Sequence, residues 1–289
     1  MKGTLRVLSA EWYRARHSRV LAVGAFFLAA VAALRVVAAW LADRANYAAA
    51  VQRALSQSRP APPPPGPGNA WSPFVDGWLA GLTVATLLLL IASARSLAGD
   101  REAGLLRVAR TRSASRTALV LGRALLGILL VLGALAVTGL GSFAVSSALY
   151  VFGPITEGGF TIYAQDELRA ELLSALLATV APLLATWVFG LCISSLARGG
   201  TGAVSAALAI YLGFDLFKEV LGPRQYWVFA AFNPSFVDKS CLHEMSGIAR
   251  GMSDAGYSQA LYAQNLWLPW PWAAGMLLVA CLVMGRRAL

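Results

Sequence analysis

Long runs of apolar residues recur along this chain and leave little freedom in how it can fold. Each run holds about twenty residues, enough for an α-helix to cross the roughly 30 Å hydrocarbon core of a bilayer. Of the 289 residues, 58% are hydrophobic and 13% are charged, whereas soluble domains carry about 25% charged residues. The sequence therefore predicts an all-α membrane protein that crosses the bilayer several times.

Six apolar runs predict six transmembrane helices within a single transmembrane domain, residues 1–289. The predicted spans are residues 20–42, 77–95, 119–150, 171–197, 201–221 and 266–285. A cleaved signal peptide is the alternative for the first run, but that run is too long for one. Glycines in the third run predict close helix packing, at Gly133, Gly139 and Gly141.

The distribution of positive charge predicts the orientation. The net charge is +10, and Lys and Arg concentrate in the segments that six spans place on the side of both termini. Such a concentration is typical of cytoplasmic loops, so both termini are predicted to be cytoplasmic and no nucleic-acid partner is implied. The preference for Arg over Lys and the abundant Ala are typical of a GC-rich bacterial genome, which favours the bacterial inner (plasma) membrane.

Three segments outside the spans have compositions that predict particular structures. Residues 1–19 are basic with an apolar stripe, which predicts a helix at the membrane interface; the alternative is a basic N-terminus that only sets orientation. Residues 43–76 contain SRPAPPPPGPG and predict a Pro-rich outer loop, a spacer rather than a ligand for a proline-recognition domain. Residues 222–265 form a long outer loop, predicted to hold a re-entrant or capping segment and open to a periplasmic partner.

Aromatic residues in that outer loop predict a lid over an exit path. The alternative is an aromatic belt at the membrane interface. The predicted lid residues are Tyr226, Trp227, Phe232, Asn233 and Pro234.

Charged residues inside the spans predict an ion pair within the membrane. Arg35 and Asp215 lie at similar depths in the first and fifth spans, and Glu219 follows one turn beyond Asp215. Intramembrane charge is costly unless paired, so Arg35 is predicted to pair with Asp215 or Glu219, within one chain or across a dimer. The alternative pairs Asp215 with Lys218 and leaves Arg35 to reach outwards.

Residues 96–118 form a short basic loop between the second and third spans. On a helix over residues 99–112, apolar residues fall on one side and charged residues on the other. Such a helix can dock onto a cytoplasmic partner, or lie on anionic membrane lipid.

The stretch DREAGLLRVARTRSASRTALVLGR resembles the first intracellular loop of ABC-2 type transporter permeases. The matching positions are Glu102, Gly104, Leu105, Leu106, Ser115, Arg116, Gly122 and Arg123. The chain departs from the family pattern at Ala114, where a Pro is usual, and at Arg123, where a Lys is common.

The resemblance implies that this chain is the permease subunit of an ABC exporter, paired with a second permease copy or a paralogue. The loop would be the coupling helix that contacts a separate ATPase subunit, which binds ATP and Mg. The chain has no G-x-x-x-x-G-K-[ST] phosphate loop, so no cofactor of its own is expected. The implied coupling residues are Asp100, Arg101, Glu102, Gly104, Leu105, Leu106, Arg107, Arg110, Ser115 and Arg116.

No enzymatic or metal site is predicted. Cys241, His243 and Glu244 form one small cluster without the second ligand cluster that metal sites need. Two other functions stay open: an intramembrane lipid-modifying enzyme, and a membrane scaffold without transport. No motif identifies a substrate, although the apolar spans favour a hydrophobic or amphipathic cargo.

Overall fold

The structure, a computed structural model, describes residues 2–63, 68–104, 115–157, 160–252 and 258–286. The helices are α1 (Lys2–Arg16), α2 (Arg19–Ser56), α3 (Trp71–Glu102), α4 (Arg116–Leu149), α5 (Gln165–Leu196), α6 (Gly200–Phe217), α7 (Cys241–Ala249), α8 (Gln259–Trp267) and α9 (Pro269–Arg286). Two 3₁₀ segments follow α6, at Lys218–Trp227 and Phe229–Phe232. Two short strands, β1 (Ile155–Glu157) and β2 (Phe160–Tyr163), pair antiparallel between α4 and α5.

Five helical stretches in the described part of the chain are long and apolar enough to cross a membrane. They are α2, α3, α4, α5 and the stretch formed by α8 with α9. The chain is therefore a helical, multi-pass membrane protein, as predicted. The predicted fifth span corresponds to α6, which is not among the five; its 18 residues give about 27 Å of helix.

The helices on either side of the Pro-rich stretch are longer than the apolar runs. α2 continues to Ser56, and α3 begins at Trp71. The sequence after residue 42 is rich in Ala, the best helix former, so the helix persists after strong hydrophobicity ends. Pro73 sits in the first turn of α3, where its missing N–H costs no hydrogen bond. Most of the predicted 43–76 loop is therefore helical.

The core of the bundle is built around α3 and α5. α3 contacts α2, α4, α5, α6 and α7, and α5 contacts α3, α4, α6, α7, α8 and α9. In the most apolar stretches of α3 and α5, 56% and 67% of the residues are buried, against 17% in α2 and 17% in α8–α9. α2 and α9 therefore lie at the periphery, with much of their apolar surface exposed.

The helices alternate in direction, so their ends gather at two opposite ends of the bundle. The α1 end holds the C-terminus of α3, the start of α4, the α5–α6 turn and the C-terminus of α9, joined by hydrogen bonds. The α7 end holds the start of α3, the end of α4 and α7 itself.

Glycines allow α4 to approach its neighbours closely. A Cβ at Gly127 would overlap the Trp187 ring of α5, and one at Gly141 would lie 2.8 Å from the Ala29 carbonyl oxygen of α2. A Cβ on Gly139 would lie 3.0 Å from the Trp78 ring, whereas a Cβ on Gly133 would meet no atom of the other described residues within 4 Å, its own helix turn aside. Close packing is thus confirmed at Gly139 and Gly141, and Gly133 faces open space.

Replacing Gly127 by Ala is expected to destabilise the bundle, because the Trp187 ring must move. We expect Gly127→Ala to lower the free energy of unfolding by about 1–3 kcal/mol. Gly133→Ala, on the same helix but facing open space, is the matched control and should be neutral or slightly stabilising. Melting temperatures in detergent measure both, and equal values for the two variants would contradict the packing argument.

Candidate functional site

A buried guanidinium organises the α1 end. Arg123 projects from α4 and is only 4% exposed. Its Nε and Nη2 donate to Glu11 Oε1 of α1 at 3.1 and 2.9 Å, and Nη1 donates to the Ser96 carbonyl oxygen at 2.7 Å. Nη2 also donates to Asp100 Oδ2 of α3. One side chain with fixed donor geometry therefore holds three helices in register.

The last turn of α3 binds the ends of three further helices. Arg101 donates to the Ala197 carbonyl oxygen just after α5, and to Met284 Sδ of α9 at 3.4 Å. Glu102 Oε2 accepts from the Gly200 backbone N–H at 3.0 Å, at the start of α6. A carboxylate is favourable there because the first N–H groups of a helix lack partners and carry partial positive charge. The described acidic and basic residues of the predicted coupling set thus bind within the chain.

The predicted helix over residues 99–112 is not continuous. α3 ends at Glu102, and Gly104 has a φ of +71°, a conformation that glycine adopts readily at a helix C-terminus. On the other side, Ser115 Oγ accepts from the Ala118 N–H at 3.1 Å and caps α4. Arg116 Nη1 donates to the Gly285 carbonyl oxygen of α9 at 3.1 Å.

Both flanks of the predicted coupling loop are therefore anchored at the α1 end. The remaining predicted coupling residues lie outside the described part of the chain: Leu105, Leu106, Arg107 and Arg110.

Asp215 pairs with Lys218, as in the alternative prediction, and Arg35 pairs with a residue that neither prediction named. Within the chain, Arg35 does not pair with Asp215 or Glu219; its Nη2 lies 3.4 Å from Asp76 Oδ2 of α3. Arg35 and Asp215 lie at similar depths in the sequence of their spans, but α2 packs on α3 and α4 rather than on α6. Glu219 instead pairs with Lys239 at 3.1 Å. A pairing across two copies of the chain stays a prediction.

Asp215 takes part in a buried network that fixes the segment after α6. Lys218 Nζ donates to Asp215 Oδ1 at 2.8 Å and to Ser235 Oγ at 3.0 Å. Asp215 Oδ2 accepts from the Phe236 backbone N–H at 3.1 Å. A buried ion pair needs such additional hydrogen bonds to offset desolvation, and here they tie residues 235–237 to the end of α6.

The predicted lid residues lie together, but three of the five are inserted into the bundle. Phe232 and Asn233 are fully buried, and Asn233 Nδ2 donates to Thr186 Oγ1 of α5 at 2.7 Å. Pro234 is buried beside them, and the Tyr226 ring lies 5.9 Å from that of Phe232. Trp227 is exposed, and its carbonyl oxygen accepts from Trp272 Nε1 of α9 at 3.0 Å. A lid function stays a prediction.

A polar pocket of about 280 Å³ opens at the α7 end. Asp76 binds three of the side chains that line it. Its Oδ2 accepts from Arg35 and, at 2.7 Å, from Arg250, and its Oδ1 accepts from Ser246 Oγ. The pocket is lined by Arg35, Asp76, Leu79, Ala80, Thr83, Ser235, Phe236, Asp238, His243, Ser246 and Arg250.

Sequence reasoning missed the residues that organise both ends. The predicted outer loop, residues 43–76, includes Asp76, although an acid inside the run WSPFVDGWLAGL indicates that it belongs to an apolar helix. The family pattern names Arg123 but gives it no partner, and it does not include Glu11. Arg123 is a basic residue within an apolar run, and Glu11 is an acid on the N-terminal helix. These two features of the sequence indicate an ion pair between them.

The cysteine, histidine and glutamate cluster at the start of α7 is not arranged as a metal site. Within the described ranges, no group of three or more His, Cys, Asp or Glu side chains could hold a metal ion. Cys241 is nearly fully buried, and this burial, with weaker effects from Glu171 and Glu244, raises the pKa of its thiol to about 12.

No family model and no curated protein matches this chain.

Removing the Arg123 guanidinium should strongly destabilise the α1 end. Arg123→Met leaves two mostly buried carboxylates without their main partner, and we expect a loss of about 3–5 kcal/mol in unfolding free energy. Arg169→Met is the control, because its pair with Asp166 is exposed and should contribute little. Denaturant unfolding in detergent measures both, and similar midpoints would contradict the role of Arg123.

The Cys241 thiol should resist modification in the folded protein. With a pKa raised to about 12, almost none of it is thiolate at pH 7.5, and the thiolate is the reactive form. In a Cys192→Ser/Cys281→Ser background, maleimide labelling at pH 7.5 should be slow and rise with pH, and should become fast after denaturation. Fast labelling of the native protein would show that Cys241 is accessible.

Proposed function

We propose that this chain is the transmembrane permease subunit of a bacterial ABC exporter of the ABC-2 type. In this proposal a separate ATPase subunit binds ATP and Mg, and the loop at residues 96–118 transmits its movement to the spans. The resemblance of residues 100–123 to the family's first intracellular loop supports the proposal. A second permease copy or a paralogue completes the transporter.

The observation that carries the proposal is the anchoring of that loop. Its N-terminal flank binds the α5–α6 turn, the start of α6 and the end of α9 through Arg101 and Glu102. Its C-terminal flank binds the end of α9 again through Arg116. A force applied to the loop by a partner therefore acts at once on the ends of α3, α4, α5, α6 and α9.

The proposed topology places the α1 end on the cytoplasmic side of the bacterial inner membrane. α6 then serves as the fifth of six spans, and α8 with α9 as the sixth. Both termini are cytoplasmic in this arrangement, which agrees with the concentration of Arg on that side. α1 lies at the membrane interface with Trp12 partly exposed.

The contacts also suggest how a push could be converted into reorientation of the spans. Glu102 connects the end of α3 to the start of α6, and Asp100 connects it through Arg123 to α4 and α1. Tilting the end of α3 therefore shifts helices on both sides of it. Because α3 runs from one end of the bundle to the other, its movement reaches the α7 end through Asp76.

The proposal predicts that an ATPase subunit co-purifies with this chain, and that charge in the loop abolishes the association. We expect the wild-type chain, purified from native membranes in mild detergent, to carry nucleotide-hydrolysing activity. Leu105→Asp/Leu106→Asp should lose most of that activity, because apolar contacts to the partner are replaced by charge. Co-purified ATPase activity and the identity of the bound subunit are measured together.

Leu55→Asp is the matched control for that experiment. Leu55 is an exposed leucine at the far end of α2, so the same change there should leave the co-purified ATPase unaffected. Melting temperatures establish that all variants are folded. If no ATPase accompanies the wild type, the exporter proposal fails; if the Leu105→Asp/Leu106→Asp variant retains it, the loop is not the contact.

A further inference from the structure

The pocket at the α7 end holds an excess of accessible positive charge. Arg35 and Arg250 share the single oxygen Asp76 Oδ2, so one carboxylate serves two guanidinium groups. The two side chains are 47% and 45% exposed. Each guanidinium has five N–H donors, and only one from each is used on Asp76 in the described part of the chain.

The other polar wall of the pocket has one carboxyl group, and one of its oxygens is shielded from solvent. It carries His243, Ser235 and Asp238. Asp238 Oδ1 accepts from the Ser240 N–H at 2.7 Å, whereas its Oδ2 is buried without a partner among the described residues. Burial raises the pKa of the Asp238 carboxyl. The accessible charge in the pocket is therefore that of the two half-exposed arginines.

The pocket becomes apolar along α3. Leu79, Ala80 and Thr83 line it one to two turns beyond Asp76, about 5–10 Å further into the apolar stretch of the helix. The exposed ring of Phe236 lines it as well. The lining thus changes from paired arginines to aliphatic side chains in the direction of the bundle centre.

We propose that this pocket binds an amphiphile with an anionic headgroup, a phosphate or carboxylate held between Arg35 and Arg250. Its apolar chain lies against Leu79 and Ala80. Guanidinium groups bind such oxyanions through charge-assisted hydrogen bonds. The volume is near the lower limit of small-molecule sites, about 300 Å³, so it holds the headgroup and the start of the chain. The site goes beyond the proposed ATP-driven function, because binding requires only this chain.

The test measures binding to the purified full-length chain in a neutral detergent, without any ATPase. The probes are dioctanoyl phosphatidylglycerol, dioctanoyl phosphatidylcholine and inorganic phosphate, titrated by calorimetry at neutral pH. We expect phosphatidylglycerol to bind at least about tenfold more tightly than phosphatidylcholine, since only the former has a net negative headgroup. Inorganic phosphate should bind much more weakly than phosphatidylglycerol, because it lacks the apolar chain.

Single substitutions separate the two halves of the pocket. Arg35→Gln and Arg250→Gln each leave one arginine on Asp76, so the fold is kept, and each should weaken phosphatidylglycerol binding about tenfold. Ala80→Phe leaves all charges in place and should weaken binding by filling the apolar part. Arg53→Gln, an exposed arginine near the far end of α2, is the control and should change nothing.

Three results would overturn the proposal. Equal binding of the two lipids would show that negative charge is not recognised. Phosphate binding as tight as that of phosphatidylglycerol would show a small-anion site with no role for the apolar wall. Unchanged phosphatidylglycerol binding in Arg35→Gln, Arg250→Gln and Ala80→Phe would place the lipid elsewhere.

Discussion

The burial of the Arg123 guanidinium is the constraint on which the arrangement of the α1 end depends. A charged group removed from water is tolerated only when its donors are satisfied, and here the acceptors come from α1 and α3. Three helices must therefore meet at one point on α4. Because Asp100 is one of those acceptors, the residues after it, Arg101 and Glu102, are brought within reach of the α5–α6 turn and of α9. A single ionic contact thereby determines the placement of the anchors around the 96–118 loop.

Charged side chains are bound in different ways at the two ends of the bundle. At the α1 end, charged side chains bind both to one another and to backbone groups at helix ends, a pattern that fixes helices relative to one another. At the α7 end, Lys218 and Asp215 bind each other and nearby groups inside the protein, while the neighbouring arginines on Asp76 stay half exposed. The first arrangement suits the transmission of force, and the second leaves donors available to a ligand.

The sequence predicts the positions of the long helices well, because burial in a bilayer demands long apolar runs whatever their neighbours are. It predicts contacts between helices poorly, because these depend on packing. Arg35 and Asp215 have similar depths but lie on helices that do not pack together, and Asp76 was hidden by its position next to a Pro-rich stretch. The predicted end of a helix is wrong where the sequence stops being apolar but still favours a helix. This is so after residue 42, where α2 continues to Ser56. Gly104 and Ser115 matched a family pattern, and the structure gives each a local role, ending one helix and beginning another.

The length of α2 has a consequence for the surface of the protein. Its 38 residues form a helix of about 57 Å, far longer than the roughly 30 Å core of a bilayer. After Ser58 turns the chain with a φ of +54°, the backbone runs back along the helix, where Tyr47 donates to the Pro62 carbonyl oxygen at 3.3 Å. Helix and returning chain together form a stalk whose tip, residues 57–59, is exposed. An epitope inserted at that tip would stand clear of the lipid and give an antibody a rigid handle on one side of the membrane.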